Sequence, residues 1–341
     1  MNSADEPLRA WVRGLTSATS ITAERTIQAL WGGYGRLVRF ELAGGSHASL
    51  VVKIVRPPAV PHARDEAVGH ARKLRSYEVE EAFYSRFSAS CPAECRVPRA
   101  VGARHHEGAR WLALEDLGAV GARGAQAELV LGWLAWFHAR FLGAAPSGLW
   151  ARGSYWHLGT RRAELLRTRD PRIVRAAPDW DRRLASVRHG TWIHGDAKLD
   201  NFCLAPDGRI AAVDFQYVGP GPGVVDVAYF LSSALSDSAC ATEAPRLLDA
   251  YFGRLRGALT QLGRPELANP VEAEWRELYP VAWADLFRFY SGWAPSLAES
   301  ETYARAFAER LLADDTADVT AKNTPEDTAV PDPDDGSRFS H

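Results

Sequence analysis

The sequence predicts an α+β chain of two lobes, a small β-sheet lobe with one key helix followed by a larger, mainly helical lobe. Three observations predict it. β-branched and alternating runs cluster in residues 22–55 and 97–117. One stretch of helical period, residues 66–88, lies between them. From about residue 126 the apolar spacing is mostly helical. These boundaries divide the chain into an N-terminal segment (1–21), a first lobe (22–118), a second lobe (119–313) and a tail (314–341).

Within the first lobe, Ile27 to Trp31 is a short strand-like run followed by Gly32-Gly33-Tyr34-Gly35. Leu37 to Leu42 alternates imperfectly, Gly44-Gly45 marks a hairpin turn, and Leu50 to Val55 is β-branched apart from Lys53. Three strands therefore come first, with a glycine-rich turn between the first two. On a helical wheel of residues 66–88, Phe83, Phe87, Glu80 and Tyr84 share one arc, with Glu80 near its middle. A carboxylate at the centre of an apolar face needs a cationic partner. Two more strands end at Trp111 to Leu117, and Gly118 to Gly124 reads as a connector.

In the second lobe the exceptions to helix are Thr191 to His194, Phe202 to Leu204 and Ile210 to Phe215, the last two joined by an Asp207-Gly208 turn. Gly219-Pro-Gly-Pro-Gly223 leads into a helix starting near Asp226, and Ala241 to Leu312 is helical again.

Composition excludes several classes. The hydrophobic share is 46% and the charged share 24%, ordinary for a globular protein. The tail carries −6 of a formal net charge of −2, so the body is only +4, too mild for a nucleic-acid binder. The tail, acidic and nearly free of aromatics, reads as disordered. Four cysteines make no disulfide scaffold, and the lone C-x3-C of Cys91 and Cys95 makes no zinc site, so all four read as reduced thiols. The most apolar stretch, Glu128 to Ala145, is interrupted by His138 and Arg140 and is a buried helix rather than a membrane span. The N-terminus lacks a signal-peptide pattern, so the expected compartment is the cytoplasm.

Chemistry concentrates in His194-Gly-Asp196-Ala-Lys198-Leu-Asp-Asn201, with Val213-Asp214-Phe215 following. Phosphoryl transfer from ATP needs a carboxylate to receive the acceptor's proton, oxygen ligands for Mg²⁺, and cations on the phosphates. Asp196 suits the base, Asn201 and Asp214 are hard oxygen ligands for Mg²⁺, and Lys198 is a cation beside the transferring group. Only four of the 40 basic residues are lysines, and two of them, Lys53 and Lys198, fall at these critical places.

The H-G-D-x4-N string followed by V-D-F resembles the aminoglycoside phosphotransferase and choline kinase group, relatives of the protein kinases, over roughly residues 25–310. With Arg72-Lys73-Leu-Arg-Ser76-Tyr77 and Leu114-Glu115-Asp116-Leu117, it is most similar to the choline-kinase-like branch that includes ecdysteroid kinases. Lys198 stands where many antibiotic kinases have His. The resemblance implies a bilobal protein-kinase-like fold and a small-molecule kinase using ATP and Mg²⁺. It implies that Lys53 holds the α- and β-phosphates and that Glu80 pairs with it, the residue the wheel also selects. It implies that Gly32, Gly33 and Gly35 cover the phosphates, although their spacing departs from the protein-kinase G-x-G-x-x-G. Glu115, Asp116 and Leu117 would form a hinge whose backbone reads adenine. Asp226 would brace the catalytic loop, and as a lone residue it is also a candidate helix N-cap. His194 reads as a packed histidine fixing that loop.

The expected partner is a small-molecule hydroxyl acceptor. Trp156, Trp283, Asp285, Phe289, Tyr290 and Trp293 could line its pocket, since aromatic faces attract amines by about 0.5–2 kcal/mol per contact. The competing reading of such an aromatic stripe is core packing. From the resemblance, Trp150 to Arg162 is placed near the acceptor side. Three other classes stand beside this reading. They are an antibiotic kinase for aminoglycosides or macrolides, with an acidic or a large apolar pocket; a protein kinase, against which the missing Ala-Pro-Glu segment counts; and a non-catalytic nucleotide-binding protein.

Overall fold

The computed structural model describes residues 6–59, 64–118, 120–121, 127–205 and 207–322. Helix α1 (Glu6–Thr16) precedes β1 (Ser20–Ala29), β2 (Gly35–Ala43), β3 (Ser49–Val55), α2 (Arg64–Arg86), β4 (Ala100–His106) and β5 (Ala109–Glu115). The five strands form one antiparallel sheet in the order β1-β2-β3-β5-β4. In β2, Val38, Phe40 and Leu42 alternate inward, as a period of two requires. β3 lies between β2 and β5 and is buried on both faces. Leu50, Val52 and Ile54 face the α1 side, where they join Leu8, Val12, Phe40 and Trp111 in one core. Lys53 therefore points to the opposite face, toward α2.

In the N-terminal region the structure adds a helix and moves the first strand. The segment 1–21 contains α1, whose Leu8, Trp11, Val12 and Leu15 sit at helical spacing and pack under the sheet. The first strand begins at Ser20 rather than near Ile27 and stops at Ala29. It is an exposed edge strand, so its polar sequence carries no alternation for a pattern argument to find.

The second part contains β6 (Val120–Gly121), α3 (Ala127–Arg140), α4 (Arg162–Leu165), α5 (Pro171–Ala185), β7 (Thr191–Ile193), β8 (Phe202–Leu204), β9 (Ile210–Ala212), β10 (Gly219–Gly221) and α6 (Val224–Ala234). Helices α7 (Asp237–Gln261), α8 (Ala268–Trp293), α9 (Pro295–Ser300) and α10 (Thr302–Lys322) complete it. β8 and β9 form the expected hairpin, with β6 pairing on β8. Helix α8 is the central rod, packed against α5, α6 and α10. Helix α10 runs on to Lys322, past the expected boundary at 313; the rest of the acidic tail lies outside the described residues. Part of the Gly118 to Gly124 connector also lies outside them. No described helix is long and apolar enough to cross a membrane, and the four cysteines are free.

The two lobes meet along α2. Its Phe83 stacks on Phe215 at 3.9 Å and 13° between rings, and Val79, Phe83 and Tyr84 belong to the same core as the second-lobe helices.

Candidate active site

Glu80 lies where the wheel argument puts it, on the buried face of α2. The ammonium of Lys53, reaching from β3, is 2.7 Å from Glu80 Oε2 and 2.9 Å from Asp214 Oδ1. Residues from three distant parts of the chain thus share one charge cluster. Burial alone would lower the Lys53 pKa, but Asp214 and Glu80 outweigh it and raise it. Burial pushes Glu80 up to about 7 against the pull of Lys53. Asp214 goes the other way: the ammonium groups of Lys53, Lys73 and Lys198 outweigh its burial and hold it below the usual carboxylate range.

Asp214 adopts a positive φ of 69°, a left-handed conformation uncommon outside glycine and tolerated best by Asp and Asn. Gln216 holds it there, donating from Nε2 to Asp214 Oδ1. The Gln216 Oε1 accepts from Lys73 Nζ at 2.7 Å and from Ser76 Oγ at 3.1 Å, both on α2. Neither Gln216 nor Lys73 was singled out from sequence as part of the site; Lys73 stood only in the quoted motif.

The catalytic-loop candidates form the second half of the site. Asn201 donates from Nδ2 to the Asp196 carbonyl at 2.7 Å and to Asp196 Oδ2 at 3.1 Å. That orientation leaves the amide oxygen of Asn201 as an acceptor for something else. Lys198 Nζ is 3.8 Å from Asp196 Oδ2. Burial pushes Asp196 up to about 7, with Lys198 opposing and Asp214 reinforcing. An acid so placed exchanges a proton near neutrality, as a general base must.

The loop is fixed from behind by Asp226. Its carboxylate accepts the N–H of His194 at 2.6 Å and of Gly195 at 2.9 Å, and lies 3.1 Å from His138 Nε2. Helix α6 starts at Val224 after Gly223, so Asp226 sits inside the first turn and does not cap it; its side chain is directed to the loop. His194 donates from Nε2 to the Val213 carbonyl at 3.0 Å, and its Nδ1 accepts the Asp196 N–H at 3.3 Å. Both bonds suit the neutral ring, and burial lowers its pKa accordingly. Gly195 has φ of +79°, and a Cβ there would lie 2.2 Å from the Tyr217 carbonyl oxygen, so only glycine fits this bend.

Gly32 and Gly33 lie in a tight turn, Trp31–Gly33, ahead of β2, and both take positive φ, 66° and 76°. Gly35 passes so close to β3 that a Cβ would meet the Ile54 carbonyl oxygen at 1.9 Å. Between them Tyr34 anchors the loop to α2, its hydroxyl 2.7 Å from His70 Nδ1. At the other lobe junction Glu115 closes β5. Its N–H donates to Arg99 O at 2.9 Å and its carboxylate pairs with Arg96 at 2.8 Å. Asp116 pairs with Arg39 at 2.7 Å, and Leu117 follows it. The acidic side chains of this segment are thus occupied by structural partners.

The aromatic candidates do not form one cluster: Phe289 touches Tyr290, Trp293 and, at 5.2 Å, the Tyr155 ring, while the others pack elsewhere. Trp283 is buried against Tyr279, Tyr303 and Phe307 in the packing of α8 on α10. Trp156 is buried against Tyr229, and Asp285 is buried in an ion pair with Arg288 at 2.5 Å. Trp283 and Asp285 are core because α8 is covered along most of its length, and Trp156, from a loop before α4, is enclosed by Tyr229 and by Arg288 of α8, which donates to its carbonyl at 2.8 Å. Tyr290 is also buried, its hydroxyl 3.3 Å from Ser232 Oγ, while Trp293 is 51% exposed and stacks on Phe289 at 5.3 Å. The rings nearest Asp196 include three more: Tyr155, inside the Trp150 to Arg162 segment that the resemblance placed near the acceptor side, and Tyr217 and Tyr229, which sequence reasoning did not single out. The phenol pKa of each, like that of Tyr290, is raised by burial, and the Asp196 carboxylate acts in the same direction. Two of the three, Tyr217 and Tyr229, flank the Gly219–Gly223 stretch, the signal that could have found them.

Among the described residues no group of three or more His, Cys, Asp or Glu could hold a metal unaided. The free oxygens of Asn201 and Asp214 instead suit Mg²⁺, which is bound through one or two protein oxygens plus substrate phosphates.

No curated protein matches the chain. Among solved structures, a microcompartment-associated aminopropanol kinase is 14% identical over 91% of this chain and 98% of its own, with a TM-score of 0.48. A macrolide 2'-phosphotransferase from Brachybacterium faecium is 17% identical over 87% and 97%, with a TM-score of 0.47. A thermostable mutant of aminoglycoside phosphotransferase APH(4)-Ia, in complex with ADP and hygromycin B, is 12% identical over 90% and 98%, with a TM-score of 0.46. The family model described as "Phosphotransferase enzyme family" matches residues 26–262, more than half of the sequence. The chain belongs to that phosphotransferase family.

Proposed function

We propose that the protein transfers the γ-phosphoryl group of ATP to a hydroxyl group of a small molecule. The observation that carries this reading is the convergence of Lys53, Glu80 and Asp214 beside Asp196 and Asn201 at the lobe junction. ATP would lie between the lobes with its phosphates toward Lys53 and under the glycine turn, and its base toward Glu115 to Leu117. Asn201 and Asp214 would hold Mg²⁺, which when bound neutralises phosphate charge. Asp196 orients the acceptor hydroxyl and takes its proton. The acceptor oxygen forms the new bond to the γ-phosphorus as the bond to the β,γ-bridging oxygen breaks, leaving ADP. Lys198 offsets charge on the transferring group. ATP as donor also fits the cytoplasm as the compartment.

The test is Asp196→Asn with γ-labelled ATP and a panel of alcohols. Nucleotide binding is expected to persist while turnover falls by roughly 10²–10⁴. Undiminished transfer by that variant removes Asp196 from the role.

A further inference from the structure

We propose that the acceptor carries an oxyanion, a carboxylate or a phosphate, which is seated between Arg72 and Arg161. This rests on the kinase reading above and names the class of molecule that site takes.

The residues 154–161 run alongside the catalytic loop. The Tyr155 N–H donates to the Gly195 carbonyl at 2.8 Å, and the Ser154 N–H to the Tyr217 carbonyl at 3.3 Å. Tyr155 is therefore held one residue from Asp196. Arg161 closes this segment on itself: its Nε donates to the Tyr155 carbonyl at 2.8 Å, and its guanidinium carbon stands 4.3 Å from the Tyr155 ring centre. Only 6% exposed, Arg161 is built into the wall and not left on the surface. From the other lobe, Arg72 donates from Nη1 to the Thr160 carbonyl at 2.6 Å. Two guanidinium groups from opposite lobes thus meet beside the tyrosines that surround Asp196.

Their charge is not balanced locally. Arg161 has one carboxylate, Glu164 at 3.0 Å. Among the described residues Arg72 has no ion-pair partner, and Nη2 of each arginine has no hydrogen-bond partner. Burial first and then the charge of Arg161 lower the Arg72 pKa, with Tyr217 and Glu164 opposing but not cancelling them. Asp285, the carboxylate expected to attract an amine, is buried on Arg288 instead. A protonated amine would meet repulsion here, whereas a carboxylate or phosphate would meet planar donors suited to its two oxygens. The nucleotide does not account for these groups. Lys73, next in sequence to Arg72, turns to Gln216 and the metal side, while Arg72 lies about 100° around the helix toward Thr160.

The test uses the full chain with MgATP and matched alcohols: glycerate, glycerol 3-phosphate and glycerol; 4-hydroxybutanoate and 4-amino-1-butanol; 4-(hydroxymethyl)benzoate and its aminomethyl counterpart. The acids are expected to be phosphorylated with kcat/KM at least about tenfold above their neutral or amine partners, the size of one charge-assisted contact. Glycerate and glycerol 3-phosphate separate a carboxylate from a phosphate as the preferred group. Arg72→Gln is expected to raise the acid KM about tenfold and to leave the MgATP Kd within about twofold. Arg161→Lys, which keeps the charge facing Glu164 but loses the planar fork, is expected to raise the acid KM in the same way. Preference for the amines, no transfer to any acid by protein that binds MgATP, or an unchanged acid KM in both variants overturns the proposal. Loss of MgATP binding by the unaltered chain is a different result: it overturns the kinase reading, and this inference with it.

Discussion

The carboxylate of Asp226 accepts the backbone N–H of His194 at 2.6 Å, with both residues fully enclosed. A buried donor that loses its acceptor costs about 1–3 kcal/mol. Asp226→Asn keeps one acceptor oxygen for two N–H groups, at His194 and Gly195. The variant is expected to lose stability by roughly that amount, read from the urea midpoint, together with kcat. An unchanged midpoint would show that the loop does not depend on this brace.

Asp196 ionises at about 7 because it is buried. As a base it works only when ionised, so transfer should rise with pH, half-complete near 7 and level above about 8. The pH–rate profile checks this, and a flat rate between pH 6 and 8 contradicts it.

Asp214 has its pKa held down by three lysines and so stays charged across the working range. Asp214→Ala removes a proposed metal ligand and one partner of Lys53. Nucleotide affinity is expected to lose its dependence on Mg²⁺, measured by titration with and without EDTA. Intact Mg²⁺ dependence would remove Asp214 from the ligand set.

Lys53→Met leaves Glu80 enclosed without its counter-charge, a loss of about 3–5 kcal/mol for a broken buried pair. Glu80, already raised to about 7, then takes up a proton more readily. A carboxylate whose folded pKa is raised favours the folded state at low pH and loses that contribution as pH climbs through the folded value. The variant's deficit should therefore be larger at pH 8 than at pH 6 in urea unfolding. Equal deficits at both would show that Glu80 is not the group left exposed.

Much of this site was legible because it is encoded locally. The catalytic string places Asp196 and Asn201 in one short loop, and the wheel found Glu80 because a lone acid stands among Phe83, Tyr84 and Phe87. The contacts that escaped notice are long-range. Gln216 meets Lys73 across 143 positions and Arg72 meets Thr160 across 88, and no periodicity encodes a meeting of that kind. Aromatic content misled for a related reason. Composition reports that Trp283 is present but not which way it faces, and α8 is covered along most of its length, so most of its large rings pack inward. The first strand was expected, but the extent of β1 was misjudged because a strand with no buried face has no alternation to mark its ends.

Helix α2 belongs to the first lobe by sequence, yet its bonds reach both lobes. Arg72 holds Thr160, Lys73 holds Gln216, and Arg75 holds the carbonyl oxygens of Gly148 and Leu149 at 3.2 and 3.0 Å. On the other side, Glu78 and Glu81 pair with Arg110 at 3.1 and 3.2 Å and His70 meets the Tyr34 hydroxyl at 2.7 Å, so the seam between sheet and helix is fastened too. The Lys53–Glu80 contact spans that seam. A displacement of this one helix would therefore disturb Lys53, Gln216 and the Thr160 segment together, because each is fastened to it.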